Sequence, residues 1–166
     1  MNTLSKGLLL LVGIAFSSLV LAQNVAVFSP EKALFATQAA KQLGQQLSQQ
    51  LQPQSQRMQS MATQVQALQK RYQEDQALMS AEEVQELKLQ ITQQSQEFNK
   101  LKQYLDNAKR QEENKFVAFM RPKLDAVLKA YIEANDIILI VNSSAVVYAQ
   151  QGVDITAAIT ALLDQE

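Results

Sequence analysis

The chain has 166 residues, 47% hydrophobic and 19% charged, with a formal net charge of −1. It has no Cys, no His, no Trp and only four Gly, which excludes disulfides, the common nucleophile–base pairs, the usual zinc and copper sites and a Gly-rich phosphate loop. No basic stripe with interleaved aromatics points to nucleic acid.

The first residues read as a secretory signal peptide. Lys6 supplies a positive start, residues 7–21 are almost wholly apolar, and Val20, Leu21 and Ala22 are small or short before Gln23. The apolar run is about 15 residues, shorter than the roughly 20 of a spanning helix. Cleavage after Ala22 predicts a periplasmic protein. The expected division is residues 1–22 as signal and 23–166 as one domain, with a body at 23–43 and 116–166 and an arm at 44–115. Asn24-Val25-Ala26-Val27-Phe28 alternates and predicts a short strand. Ser29 as cap, Pro30 in the first turn and Glu31 near the positive helix end then start a helix through Ala33, Leu34, Ala36, Ala39 and Ala40. Gly44 and Pro53 are expected to interrupt it.

Residues 47–108 predict a long antiparallel helical hairpin. Leu51, Met58, Met61, Val65, Leu68 and Tyr72 recur at heptad spacing, and so do Val84, Leu87, Ile91, Phe98, Leu101, Leu105 and Ala108. Folding the chain back between Met79 and Ser80 pairs Leu68 with Ile91, Met61 with Phe98, Met58 with Leu101 and Leu51 with Ala108. Ser80 and Glu83 form a capping box at the start of the returning helix. Each arm is about 28 residues, roughly 42 Å at 1.5 Å per residue, so it projects or packs on other subunits. Glu112 and Lys115 fall in the next core slots and should end the two-helix seam. Below them Phe116, Val117, Phe119, Met120, Leu124, Val127, Leu128, Tyr131 and Ile132 spread over more than one face, with Pro122 as a possible kink.

Ile137, Ile138, Leu139, Ile140 and Val141 predict a strand buried on both faces. Asn142, Ser143 and Ser144 would turn it into a second strand at Ala145, Val146, Val147, Tyr148 and Ala149. Asp154 would cap a last helix. The expected fold is α+β, mainly α: a long coiled-coil hairpin projecting from a small sheet body of order β-α-α-β-β-α. Three strands are marginal alone. Val25, Val27, Ile138, Ile140, Val146 and Tyr148 are therefore expected to bury against copies of the same sheet in a homo-oligomer.

Little here suggests catalysis. The Glu82–Glu83 and Glu112–Glu113 pairs diverge on a helix, and Ser143 and Ser144 lack a base. The chain reads as a non-enzyme with no cofactor and no metal site. Met58, Met61 and Met79 occupy seam slots. Apolar residues outside the seam are more informative: Leu78 and Tyr104 flank it and would help cover it, whereas Leu89 lies nearly opposite it and is the best contact candidate. The tip carries Glu74, Asp75, Glu82, Glu83 and Glu86 with no base among them, whereas Lys100, Lys102, Lys109, Arg110 and Lys115 form a basic zone lower on the arm.

Together these pieces resemble the Skp (OmpH-like) family of periplasmic chaperones. The resemblance is carried by Val25-Ala26-Val27-Phe28 after a signal peptide, the hairpin, and Ala134-Asn135-Asp136-Ile137-Ile138-Leu139-Ile140-Val141. Ala145-Val146-Val147-Tyr148-Ala149 and Val153-Asp154-Ile155-Thr156 complete it. It implies a homotrimer with a barrel-like body and three arms around a cavity that holds unfolded outer-membrane proteins without ATP, the arms hinging near Gly44, Pro53 or Pro122. Client contact would fall to Leu78, Leu89, Tyr104, Lys100, Lys102, Lys109 and Arg110. The family's arms are basic, whereas this chain's tip is acidic, which weighs against tip-first contact with anionic membrane. The alternative is a structural coiled-coil adaptor of the envelope that binds a folded partner through the tip.

Overall fold

The computed structural model describes residues 25–150 and 152–166, so the predicted signal peptide lies outside the described residues. In chain order the elements are β1 (Val25–Phe28), α1 (Pro30–Phe35), α2 (Gln38–Asp75), α3 (Ala81–Ala134), β2 (Leu139–Asn142), a 3-10 turn (Ser143–Ala145) and α4 (Thr156–Leu163).

Local signals set most of the helix ends. The Ser29 side chain accepts from the Lys32 N–H and Pro30 opens α1. The expected single helix through Ala40 divides at Ala36 and Thr37. Fully buried Thr37 donates its hydroxyl to the Leu34 carbonyl at 2.7 Å and accepts from the Ala40 N–H at 3.2 Å, ending α1 and capping α2. At the tip both bonds of the capping box form: Ser80 N–H to Glu83 Oε2 at 2.8 Å and Glu83 N–H to Ser80 Oγ at 3.3 Å. These bonds hold the Glu83 carboxyl below the ordinary carboxylate range, the backbone one most. Ser80→Ala should raise opening of the α3 start roughly 2- to 30-fold. Amide exchange at the tip reads this directly, and unchanged exchange would show that packing alone sets the turn. At the far end of α3, Ile137 N–H returns to the Ile132 carbonyl while Asp136 takes a φ of 50°. That closure normally uses Gly, and Asp is among the few substitutes that tolerate it.

Gly44 and Pro53 do not interrupt α2, which is continuous over 38 residues, and α3 runs 54 residues through Pro122. The helices are about 57 and 81 Å long at 1.5 Å per residue. Packing along the seam overrides the local cost of both residue types. The shielded positions of the arm follow the heptad: Leu47, Leu51, Gln54, Met58, Met61, Val65, Leu68 and Tyr72 on α2, and Val84, Leu87, Ile91, Gln94, Phe98, Leu101, Leu105, Ala108 and Glu112 on α3. Near the tip, Lys88 of α3 sits over the Tyr72 ring of α2, 5.5 Å from its centroid, as a chain folded back on itself requires. Glu112 is half-shielded and pairs with Lys115 at 2.7 Å where the seam was expected to end.

The body core joins Ala26 and Phe28 of β1, Ala33 and Leu34 of α1, Met120 and Leu124 of α3, and Ile155, Ile159 and Leu163 around α4. Phe35 and Phe116 meet with ring centroids 5.9 Å apart. The sheet differs from expectation. β1 and β2 pair in parallel, Val25 with Leu139 through Phe28 with Asn142, because the helical hairpin between them returns the chain in the same direction. The third position beside β1 is taken by a bridge from Val27 to Asp154. Residues 145–149 form no strand. The Asn142 side chain accepts from the Ser144 N–H at 2.9 Å and winds the chain into the 3-10 turn. Val146 is extended, but no strand among the described residues pairs with it. The 137–141 segment is not buried on both faces either: Ile138 is 77% and Leu139 53% exposed.

Candidate binding surfaces

The off-seam residues singled out on the arm are exposed: Leu78 by 89%, Leu89 by 56% and Tyr104 by 55%. They do not form one patch. Leu78 stands alone at the tip. Lys100 and Tyr104 are neighbours one turn apart, with Leu89 on the same flank of α3. Lys102 and Lys109 lie on the other flank, and Arg110 points away from the seam. Lys109 pairs with Glu113 at 3.8 Å, and Arg110 donates to Asn107 Oδ1 at 2.6 Å. Among the described residues Lys100 and Lys102 make no ion pair and keep their charge available.

An open groove of about 500 Å³ lies at the root of the arm. Leu43, Leu47 and Leu51 of α2 line one side, with Phe35 at its lower end and Met58 and Leu105 at its upper end. Asp106, Lys109 and Glu113 form the opposite rim on α3. Here the seam leucines are only half-covered. The heptad pattern alone predicts closed packing here, so the groove was not legible in it. One signal was available: the slot between Leu51 and Met58 holds Gln54. A polar residue in that slot packs the seam less well than an apolar one.

In the body, the residues expected to meet other copies divide in two. Ile138 and Tyr148 are exposed by 77% and 84%, and Val25 by 39%; Val147, not among those expected, is exposed by 104%. Val27 is buried inside its own chain, Ile140 packs on its own core, and Val146 is half-buried. The outer edge of β2 has no strand partner among the described residues.

The closing Asp154-Ile155-Thr156 segment fastens α4 to the rest. Val27 N–H donates to the Val153 carbonyl at 2.9 Å and Ile155 N–H to the Val27 carbonyl at 3.0 Å. Ser29 N–H donates to Thr156 Oγ1 at 3.0 Å, and Thr156 N–H to Asp154 Oδ1 at 2.9 Å. Further along, Thr160 donates to the Ala33 carbonyl and Gln38 N–H to Asp164 Oδ1. The motif therefore anchors the root of the arm and has no chemistry of its own. The Thr156 hydroxyl, then its backbone N–H, holds the Asp154 carboxyl below its ordinary value of 3.8. A depressed carboxyl stabilises the fold above that value and loses its share as pH falls through the folded one. Asp154→Asn should thus lower the urea midpoint more at pH 7 than at pH 2, and an equal loss at both would rule out the charge as the cause.

Among the described residues no group of three carboxylates is placed to hold a metal ion, and no helix is long and apolar enough to cross a membrane. A family model described as outer membrane protein (OmpH-like) matches residues 24–163. The crystal structure of an OmpH-like protein of Caulobacter crescentus CB15, named as a candidate outer membrane chaperone, aligns with a TM-score of 0.53 at 17% identity. The match covers 86% of this chain and 85% of that one. At that identity the likeness is one of fold. No curated protein matches closely enough to count as a relative.

Proposed function

The chain belongs to the OmpH-like outer membrane protein family, and from its geometry we propose that it is an ATP-independent periplasmic holdase chaperone for unfolded outer-membrane proteins. The observation that carries this reading is the pairing of a long projecting arm with an unfinished body. A sheet of two strands, an open β2 edge and exposed Ile138, Val147 and Tyr148 call for further copies. Copies joined there would bring several arms around one space, as in the homotrimer that the family resemblance implies. The arm spends its apolar residues on its own seam and presents mostly Gln and charge outward. Such walls suit many weak contacts with clients that share no sequence, with Leu89, Lys100, Tyr104 and Lys102 as the available contact residues.

A holdase acts by lowering the free concentration of unfolded chain. That needs no catalysis, cofactor or nucleotide. The test is aggregation of an unfolded outer-membrane protein on dilution from urea, with near-stoichiometric assembly and no nucleotide. Suppression is expected. No suppression, alongside a tight complex with a folded protein that Leu78→Ser abolishes, would favour the envelope adaptor to which the exposed tip residue Leu78 points.

A further inference from the structure

Three features of the molecule are not absorbed by the seam or the body core: the exposed β2 edge, the acidic tip, and the groove at the arm root. The first belongs to the assembly already proposed. The second is a carboxylate cluster around Leu78 with nothing further to indicate a ligand. The groove has a shape, a periodicity and a charge that together describe an occupant.

Its floor is Leu43, Leu47 and Leu51, one residue per helical turn, so apolar side chains recur about every 6 Å along it. An extended strand places side chains on one face every 6.6–6.8 Å, roughly. Over two steps the mismatch is about 1.5 Å, within the reach of a leucine side chain. A helix laid in the groove would bring whole turns against a channel open along one side only, whereas a strand needs just its apolar edge inside. The rim adds a sign. Lys109 is tied to Glu113 at 3.8 Å, which leaves Asp106 as the rim charge with no ion-pair partner among the described residues. Ser48 and Ser55 supply hydroxyls on the α2 side.

We propose that the arm-root groove binds an extended client segment with alternating apolar residues and a Lys or Arg placed over Asp106. Transmembrane β-strands carry that alternation, apolar to lipid and polar to the lumen. This rests on the holdase reading and gives it an address: the strand's lipid-facing side is covered at the arm root while the rest of the client contacts the polar walls.

The chain has no cysteine, so single cysteines at exposed Ser48, Ser55 and Gln103 accept a photo-crosslinker one at a time, Gln103 lying on the face away from the seam. The probe is a nine-residue peptide of alternating Leu and Thr with one central Lys, set against a peptide of the same composition with its Leu residues in one block. The alternating peptide should label from Ser48 and Ser55 but not from Gln103. Asp106→Lys should weaken it roughly two- to fivefold and favour a Glu-bearing version by a similar factor. Equal binding of the two peptides, labelling from Gln103 alone, or crosslinks to a second copy of the chain would overturn the proposal. Aggregation suppression is measured on the same variants. If it persists while the groove stays empty, the groove assignment fails by itself. If wild-type protein suppresses nothing, the holdase reading fails first.

Discussion

Ile159→Ala is expected to destabilise the body by about 2–5 kcal/mol, the usual cost of truncating a fully buried large aliphatic residue. Ile159 has no exposed surface and sits among Ala26, Phe28, Ala33, Leu34, Met120 and Leu124. Every element of the body meets at that point, so none can move in to fill the space without breaking a backbone tie. The parallel bonds of Val27 to Val153 and Ile155, and the Ser29–Thr156 bond, fix α4 against β1. A small domain has only about 5–15 kcal/mol in total, so the urea midpoint should fall by a large fraction. The arm should respond differently. Its seam around Met61 and Leu87 lies far along the hairpin and shares no contact with α4. Hydrogen exchange should therefore quicken in β1 and α4 while the middle of α2 and α3 keeps its protection. A loss below about 1 kcal/mol would mean that the site collapses around the smaller side chain. Equal acceleration to the tip would mean that arm and body unfold as one unit.

What the sequence disclosed about this fold depended on whether the deciding interaction was local and periodic. The arm's helices and turn were legible because apolar residues repeat with the helix on both sides of one capped turn, and Ser80 and Glu83 fix that turn. Gln54 occupies a seam slot near the arm root, but a polar residue in a periodic pattern reads as a gap, so the heptad does not disclose the groove there. Thr37 was missed because one threonine before an alanine-rich run is a weak cap signal until burial shows that its hydroxyl bonds both α1 and α2. Pro53 was overvalued for the opposite reason: its local cost is real, but a continuous seam outweighs it. The 145–149 segment shows the limit most clearly. Val146, Val147 and Tyr148 have strand-forming side chains, yet a strand exists only beside another strand, and propensity does not say which chain supplies it. Binding residues were less legible than the fold. Exposure of Leu89 followed from its helical position nearly opposite the seam, whereas Leu78 and Tyr104 flank the seam and their exposure depends on where α2 and the tip turn lie.

The double substitution Ile138→Asp with Tyr148→Asp should leave the proposed assembly as single chains and strongly reduce holding, while leaving the arm helical. In the single chain both side chains face solvent, at 77% and 84% exposure, and beside them Leu139 and Val147 are exposed by 53% and 104%. Carboxylates there cost the isolated chain little. Only a neighbouring copy that covers these positions makes them expensive, because each buried unpaired charge carries a desolvation penalty of several kcal/mol. The substitution thus separates assembly from folding. Neither α2 nor α3 relies on this edge, so circular dichroism should keep its helical strength. Mass in solution should fall to that of one chain. Suppression of client aggregation should fall with it, since a lone arm with its apolar residues turned into its own seam encloses nothing. A variant that stays assembled would place the interface elsewhere on the body. A monomer that still suppresses aggregation would show that the arm's own surface, the root groove included, holds clients without a surrounding cavity.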